Sequence, residues 1–356
     1  MKALSCTLLA VLALAAEPQA GAADIPRTAD GKPDLSGTYD IATVTPVERP
    51  QALGNQSTLT DEQVRQMSSR MAAMRAAESE RSDPNREAPP VGGDGSGGAT
   101  GNVGGYNTFW IDPGEQPFKL HGEFRTSIIT DPPNGRRPAM TPQGQARIAT
   151  LFKQFGKKNE GTAWWVGLPG PGPYDDPETL TLSDRCLTGF GSAGGPPVLP
   201  TLYNNLKRIV QTPDHVMILI EMVHDARIVR LNSEHADPSI RKWLGDSIGW
   251  WEGDTLVVDT TNFNDHPAQW GASRDLHVVE RFRRIDADTL HYSFTVTDPN
   301  TWEAPWSGEY PWPETEDQLF EYACHEGNYA MHGILGGARL LESEAENAQN
   351  TSGGGE

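Results

Sequence analysis

The second half of the sequence consists of closely spaced β-strand patterns. Residues 289–297 alternate strictly between apolar and polar side chains, as expected for a strand with one buried face. The apolar face carries Leu290, Tyr292, Phe294 and Val296. A short turn at 286–288 separates this segment from a second strand pattern at 277–285, which predicts a β-hairpin. Because no helical crossover fits between strands this close in sequence, we expect antiparallel pairing.

Further strands are predicted on both sides of this hairpin. They cover residues 35–39, 216–229, 255–261 and 319–324. The segment at 216–229 is long for a single strand and is expected to bend. The chain is therefore predicted to be mainly β. An antiparallel barrel with long loops is the expected fold, because closure removes exposed sheet edges, and a β-sandwich is the alternative.

The beginning of the chain has the features of a secretory signal peptide. Lys2 precedes an apolar run at 4–16, and residues 20–22 match an A-x-A cleavage site. The run is too short to span a bilayer, which needs about 20 apolar residues. We therefore expect residues 1–22 to be removed and the protein to be periplasmic or secreted.

The rest of the chain divides into three predicted parts. Residues 23–105 form an N-terminal extension with a helix at 60–82 and a Gly/Pro-rich linker after it. Thr60 and Gln63 match a capping box at the start of that helix. Residues 106–341 form the β domain, and the acidic, Gly-rich residues 342–356 are expected to be disordered.

The charge of the chain narrows the range of partners. The 29 Lys and Arg residues against 48 Asp and Glu give a net charge of −19, which disfavours nucleic acid and anionic membrane surfaces. No segment after the first is apolar enough to predict stable membrane insertion. Ten Trp residues favour an apolar or planar small molecule as the partner.

Two cysteines follow the expected signal segment, Cys186 and Cys324. In an oxidising compartment a disulfide between them is the expected state. Neither lies in a CxxC or zinc-type spacing, so no cysteine-based metal site is predicted.

Titratable residues interrupt the apolar pattern at 216–229. If this segment is one strand, Glu221, Asp225 and Arg227 share one face and His224 lies on the other. Two carboxylates beside a guanidinium can differ enough in pKa to serve as acid and base. The alternatives are a charged face turned to solvent and a hydrogen-bonded core histidine.

A second group of titratable residues stands where the strand predicted at 319–324 ends. His325 and Glu326 follow Cys324 directly, and strand ends commonly carry working residues. A turn fixed beside a disulfide is the alternative. We predict a site where the two groups meet. Its catalytic candidates are His224, Asp225, His325 and Glu326, and its substrate-binding candidates are Arg125, Glu221, Arg227, Arg281 and Tyr329.

The sequence contains none of the common nucleotide-binding or nucleophile motifs. The sequence has no P-loop, no GxGxxG after a strand and no GxSxG elbow. His224, His277 and His325 with nearby carboxylates could supply a metal site, but there is no HExxH motif and no close histidine pair. No cofactor is therefore predicted and no metal ligand is assigned.

Several segments resemble those of a large group of exported bacterial proteins whose reaction is not established. The matching segments are 106–110, 125–135, 209–215, 243–247, 251–259 (WEGDTLVVD), 276–282 (LHVVERF) and 322–329 (YACHEGNY). The resemblance extends over roughly residues 26–339 and implies secretion and a shared fold. The C-terminal half also looks lipocalin-like, which is a fold analogy alone.

Three functions remain open from the sequence. The first is an exported enzyme that acts on a small organic molecule by acid–base chemistry, as a lyase, isomerase or hydrolase. The second is a lipocalin-like small-molecule binding protein, and the third is a structural envelope protein. A cavity lined by three or more titratable groups would favour the enzyme. An apolar cavity would favour the binding protein, and a filled core would favour the structural protein.

Overall fold

The computed structural model describes residues 25–78, 85, 87, 111–151, 161–189, 191, 194–267, 269 and 271–353. The expected signal segment, nearly all of the Gly/Pro-rich linker and the 106–110 segment lie outside these residues. No helix in the described part of the chain is long and apolar enough to cross a membrane.

Thirteen strands are found in the described residues, and ten of them form one large sheet. They are β1 (Gly37–Asp40), β2 (Thr58–Leu59), β3 (Lys119–Leu120), β4 (Glu123–Arg125), β5 (Ile129–Asp131), β6 (Leu206–Gln211), β7 (His215–Ile220), β8 (Ala226–Leu231), β9 (Asp246–Glu252), β10 (Thr255–Thr261), β11 (His277–Arg284), β12 (Thr289–Thr297) and β13 (Trp306–Pro313). The large sheet has the order β1-β6-β7-β8-β9-β10-β11-β12-β13-β5, and a small one has the order β2-β4-β3.

The ten strands of the large sheet confirm the predicted mainly β fold, and this sheet is strongly curled. Isolated pairing of Tyr39 with Glu314 brings β1 next to the residue that follows β13. No continuous ladder closes the sheet between the described residues of these two segments. One pair, β8 with β9, is parallel, contrary to the antiparallel pairing expected throughout. The 14-residue connection at 232–245 is long enough to return the chain from the end of β8 to the end of the sheet at which β8 begins, where β9 also begins.

The hairpin predicted from the alternating pattern is confirmed. Strands β11 and β12 pair antiparallel from His277 opposite Thr297 to Arg284 opposite Leu290. The apolar side chains of β12 are all buried, as the period of two requires. They pack with aromatic residues of neighbouring strands, among them Phe282, Tyr310 and Trp312, to fill the concave side of the sheet.

The segment at 216–229 is not one bent strand. Strand β7 ends at Ile220, a tight turn follows, and β8 returns antiparallel to β7. Val223 and His224 both have positive φ, at 58° and 45°, which reverses the chain. The expectation that Arg227 shares one face of a single strand with Glu221 and Asp225 is therefore wrong, because Glu221 and Asp225 flank the turn and Arg227 belongs to β8. Arg227 pairs with Ile218, and its side chain is buried while Ile228 is exposed.

The strand expected at 319–324 is absent, and the sequence analysis missed β13. Pro311 and Pro313 obscure the strand pattern of β13, yet Trp306, Gly308, Tyr310 and Trp312 alternate as buried residues. Proline lacks a backbone donor and so usually marks a strand edge or a loop. Residues 319–323 instead lie outside any strand, and Cys324 is in a turn, where its N–H donates to the Tyr322 carbonyl at 2.9 Å.

Three longer helices lie outside the sheet: α1 (Asp61–Glu78), α2 (Pro142–Leu151) and α3 (Tyr329–Gly353). The predicted capping box forms at the start of α1, where the Thr60 N–H donates to Gln63 Oε1 and the Gln63 N–H donates to Thr60 Oγ1. Residues 342–353, for which disorder was expected, belong to α3. This helix contacts the segment at 161–187, since Trp165 Nε1 donates to Glu342 Oε1 at 2.7 Å.

The expected disulfide between Cys186 and Cys324 is confirmed, with a Cα–Cα distance of 5.7 Å. It joins the start of α3 to the segment at 161–187, and Asn328 Nδ2 adds a hydrogen bond to the Asp184 carbonyl at 2.7 Å.

We expect the isolated protein to contain no free thiol at these two positions. Alkylation under denaturing, non-reducing conditions should leave Cys186 and Cys324 unmodified in peptide mass spectra, and prior reduction should make both reactive. Alkylation of both cysteines without reduction would contradict the structure.

Candidate functional site

The strand directions bring six connections to one end of the curled sheet. Strands β1, β5, β7, β10 and β12 all end there, and β6, β8, β9, β11 and β13 all begin there, as the pairing pattern requires. We call this the loop end of the sheet. Loops at one end of a rigid sheet are a common place for binding residues.

The Gly/Pro-rich segment at 194–200 enters the concave side of the sheet at the loop end. Residues 194–199 are buried. The Val198 N–H donates to the Tyr292 hydroxyl at 3.0 Å, and the Tyr310 hydroxyl donates to the Val198 carbonyl at 2.8 Å. This segment is therefore a packed part of the interior.

A buried ion pair lies deeper in the same interior. Arg227 Nη2 donates to Glu280 Oε1 at 2.9 Å, and Arg227 Nη1 also contacts Glu280 Oε2. The Tyr292 hydroxyl donates to the same carboxylate at 2.8 Å. Burial, and then the charge of Glu280, raises the pKa of Tyr292 well above its ordinary value. The concave side is thus filled by paired side chains, and Arg227 is part of this core.

A cleft of about 890 Å³ opens at the loop end, beyond the buried segment. Its described lining consists of Val47, Glu48, Ile111, Arg137, Pro138, Met140, Ile148, Gly191, Leu199, Pro200, Thr201, Leu202, Tyr203, Met222, Gln269 and Trp302. These residues come from five of the six connections: the one that follows β1, the one between β5 and β6, and those that follow β7, β10 and β12. Most of the side chains are apolar.

One ion pair stands in the wall of this cleft. Arg137 Nη1 contacts Glu48 Oε1, and the Arg137 guanidinium lies over the Trp306 ring, 4.9 Å from its centre. The ring and the carboxylate hold this cation in place. The cleft therefore offers a broad apolar surface with one fixed polar point.

The turn with His224 and Asp225 meets the C-terminal segment, as the sequence analysis proposed, but through main-chain contacts. His224 Nδ1 lies 3.2 Å from the Tyr322 carbonyl oxygen, and the Phe320 N–H donates to Glu221 Oε1 at 3.1 Å. His224 is exposed and Glu221 is buried. These contacts hold the C-terminal segment against the sheet.

The carboxylate of Asp225 is the most perturbed of the predicted catalytic groups. Its Oδ2 atom is buried and has no hydrogen-bond partner among the described residues. Burial raises the pKa of Asp225 to about 6, against a hydrogen bond from the Gly189 main chain that lowers it. Gly194 packs closely here, because a Cβ at that position would lie 2.5 Å from Asp225 Oδ2. Asp225 thus faces the loop at 189–194 and does not line the cleft.

The other predicted site residues are spread over the molecule. His325, Glu326 and Tyr329 are exposed around the start of α3. Arg281 makes an exposed ion pair with Glu252 at 2.7 Å. Arg125 pairs with Glu309 at 2.8 Å on the convex side of the sheet, where Glu309 also contacts His291 Nε2 at 3.0 Å. The structure does not bring the nine predicted side chains into one cavity.

The densest titratable cluster escaped the sequence analysis. Asp259 contacts His277 Nε2 at 2.8 Å and His235 Nε2 at 2.9 Å, and His235 Nδ1 lies 3.2 Å from Asp246. The hydrogen bond to Asp259 raises the pKa of His277. Asp246 and Asp259 lie within two of the segments that carry the resemblance, 243–247 and 251–259, so their positions could have indicated this cluster. None of these residues lines the cleft.

No group of three or more His, Cys, Asp or Glu side chains is placed to hold a metal ion within the described residues. His224, His277 and His325 contact different partners and do not come together. Comparison with protein-family models, with curated proteins and with solved structures found no match for this chain.

Proposed function

We propose that this protein binds a small, mainly apolar organic molecule in the cleft at the loop end. The observation that carries the proposal is the lining, in which apolar side chains surround a single ion pair, Glu48 with Arg137. The volume of about 890 Å³ lies within the range of small-molecule sites.

The lining favours binding over catalysis. Acid–base chemistry needs titratable groups within hydrogen-bond reach of the substrate. The described lining contains three such groups, Glu48, Arg137 and the Tyr203 phenol, and the first two neutralise each other, so no acid–base pair is left in the cleft. Burial of apolar ligand surface would supply the affinity, at about 25 cal/mol per Å² removed from water. The ion pair would orient a polar group of the ligand.

Leu202 gives this proposal further support. It lines the cleft, and its side chain is 60% exposed in the free protein. A large apolar side chain exposed at the edge of an apolar cleft is typical of a binding surface. A bound molecule would cover it.

The proposal includes the finer features of fold and compartment. The curled sheet would act as an incomplete lipocalin-like barrel, and the pairing of Tyr39 with Glu314 supports near-closure. Because the interior is filled by side chains, the ligand would bind at the loop end and not inside the barrel. Export to an oxidising compartment is also proposed, and the disulfide supports it.

The acid–base enzyme remains the second candidate. The observation in its favour is the Asp259 cluster, in which one carboxylate contacts two imidazoles. A His277→Gln variant that lost turnover of a substrate found by screening, with an unchanged melting temperature, would move the proposal to this cluster.

The cleft can be tested with N-phenyl-1-naphthylamine, a neutral apolar dye whose emission rises in apolar surroundings. We expect saturable binding to the wild type. Leu202→Glu should weaken it about tenfold, or about 1.4 kcal/mol, because a carboxylate at the rim opposes burial of an apolar ligand.

Ile240→Glu is the matched control, because Ile240 is 52% exposed and does not line the cleft. This variant should bind the dye like the wild type. Absence of saturable binding, or equal weakening in both variants, would contradict the proposed site.

A further inference from the structure

A second cavity of about 490 Å³ lies on the other side of the segments that wall the cleft. It is lined by Arg49, Asn55, Ser57, Arg125, Ser127, Ile129, Thr130, Pro133 and Asn134. The two cavities use adjacent residues, since Glu48 lines the cleft and Arg49 lines the second cavity. Their chemistry differs, because the second lining is mostly polar and includes two arginines.

Arg49 is buried at this cavity without a counter-ion. Its residue exposure is 4%, its Nε donates to Thr126 Oγ1 at 2.9 Å, and its Nη1 donates to the Pro133 carbonyl at 3.0 Å. Its Nη2 has no hydrogen-bond partner in the described part of the chain. Gly135, with φ +70°, allows this packing, because a Cβ there would lie 2.9 Å from Nη2.

The other buried arginines each have a carboxylate partner, which Arg49 lacks among the described residues. Three arginines are buried in the described ranges: Arg49, Arg227 and Arg284. Arg227 pairs with Glu280, and Arg284 pairs with Glu314 at 2.9 Å. Arg49 has no carboxylate within 4.0 Å among the described residues. A buried guanidinium without an opposite charge is costly, so an anion at Arg49 would offset that cost.

Two further guanidinium groups make the surroundings of Arg49 positive. Arg125 lines the cavity and shares Glu309 with His291. Arg136 Nε donates to the Arg49 carbonyl at 2.9 Å, and its buried Nη2 has no partner in the described residues. Burial, and then the charges of Arg136 and Arg125, lowers the pKa of Arg49. A chain of net charge −19 thus concentrates positive charge here.

We propose that this cavity binds the carboxylate or phosphate group of a small organic anion, with Arg49 as its main ligand. Arg49 Nη2 and Arg125 supply charged donors, and arginine pairs well with either oxyanion. Asn134 Oδ1 accepts from the Arg136 N–H at 3.0 Å, so its Nδ2 remains a donor, and Ser57 stands at the rim. The cavity is larger than a bare oxyanion, so the rest of the ligand fills the remainder.

The probes are sodium phosphate and sodium acetate, compared with sodium chloride at the same ionic strength and pH. We expect at least one of the two oxyanions to raise the Tm of the wild type by about 1–2 °C at roughly four times its Kd, because it binds only the folded state. A response to phosphate alone assigns a phosphate group, and a response to acetate alone assigns a carboxylate.

Ser57→Glu places a carboxylate at the exposed rim of the cavity. It should remove the response to both oxyanions and raise the Tm in their absence, because it supplies the missing negative charge. Ser69→Glu, on the exposed side of α1, adds the same charge away from the cavity and should respond like the wild type. The proposal is overturned if neither oxyanion exceeds chloride, or if Ser57→Glu responds as the wild type does. The dye test of the cleft is independent of these results.

Discussion

Replacement of Glu280 by glutamine is expected to lower the free energy of unfolding by about 3–5 kcal/mol. Both partners of the Arg227–Glu280 pair are almost fully buried, with side-chain exposures of 2% and 0%. Glutamine keeps the shape of glutamate but leaves the guanidinium charged and uncompensated inside the protein. Urea denaturation at neutral pH, followed by far-UV circular dichroism, measures the loss.

Glu252→Gln is the matched control for this substitution. Glu252 pairs with Arg281, the neighbour of Glu280 on β11, and both side chains of that pair are nearly half exposed. Solvent screens an exposed pair, so this variant should unfold almost like the wild type. Arg227→Met combined with Glu280→Leu should recover most of the loss, because no unpaired charge remains. A loss below about 1 kcal/mol for Glu280→Gln would show that the interior admits water.

Lys207→Met is expected to stabilise the protein at pH 7 and to lose that advantage at alkaline pH. Lys207 is 1% exposed, and its Nζ donates to the Asn204 carbonyl at 3.1 Å. Burial lowers the pKa of Lys207 to about 7, although Glu221 and Asp40 raise it. Between about pH 7 and the ordinary lysine pKa of about 10.4, the unfolded chain therefore binds the proton that the folded chain has lost.

The sign of the pH effect follows from this difference in proton uptake. The wild type gains about 1.4 kcal/mol of stability per pH unit as the pH rises through this window, or about 4 kcal/mol between pH 7 and 10. Methionine does not titrate, so the difference in the free energy of unfolding between Lys207→Met and the wild type should shrink by the same amount. Urea denaturation at each pH tests this expectation.

Lys119→Met is the control, because Lys119 is exposed and its Nζ lies over the Phe124 ring, 4.3 Å from the ring centre, outside the protein interior. It should show the same pH dependence as the wild type. A Lys207→Met variant whose stability also follows the wild type at every pH would mean that Lys207 stays protonated in the fold.

The two proposed sites differ in how far the sequence could predict them. Arg125 was predicted as a substrate-binding residue, and it lines the proposed anion cavity. Its main partner there, Arg49, gave no signal, because a single arginine in a Pro-rich stretch has no pattern that separates it from a surface residue. The 75 residues between Arg49 and Arg125 carry no periodicity that relates the two positions.

The sequence by itself determined the β-class of the second half, the hairpin at 277–297 and the start of α1. These features depend on local rules: alternation buries one face of β12, and Thr60 with Gln63 satisfies the first donors of a helix. Only two of the three cysteines follow the predicted signal segment, so the expected disulfide had a single pairing. Each of these inferences needed only neighbouring residues or a count.

Only the tertiary structure decided where the charged groups of β7 and β8 point and which cavities exist. The turn after Ile220 uses left-handed backbone at Val223 and His224, where no glycine marks it, so the alternation could not be carried through to Arg227. Arg227 then meets Glu280, 53 residues away. The cleft likewise forms where six connections meet at one end of the sheet. Strand periodicity is a property of adjacent residues, whereas a buried pair or a cavity depends on how distant segments pack.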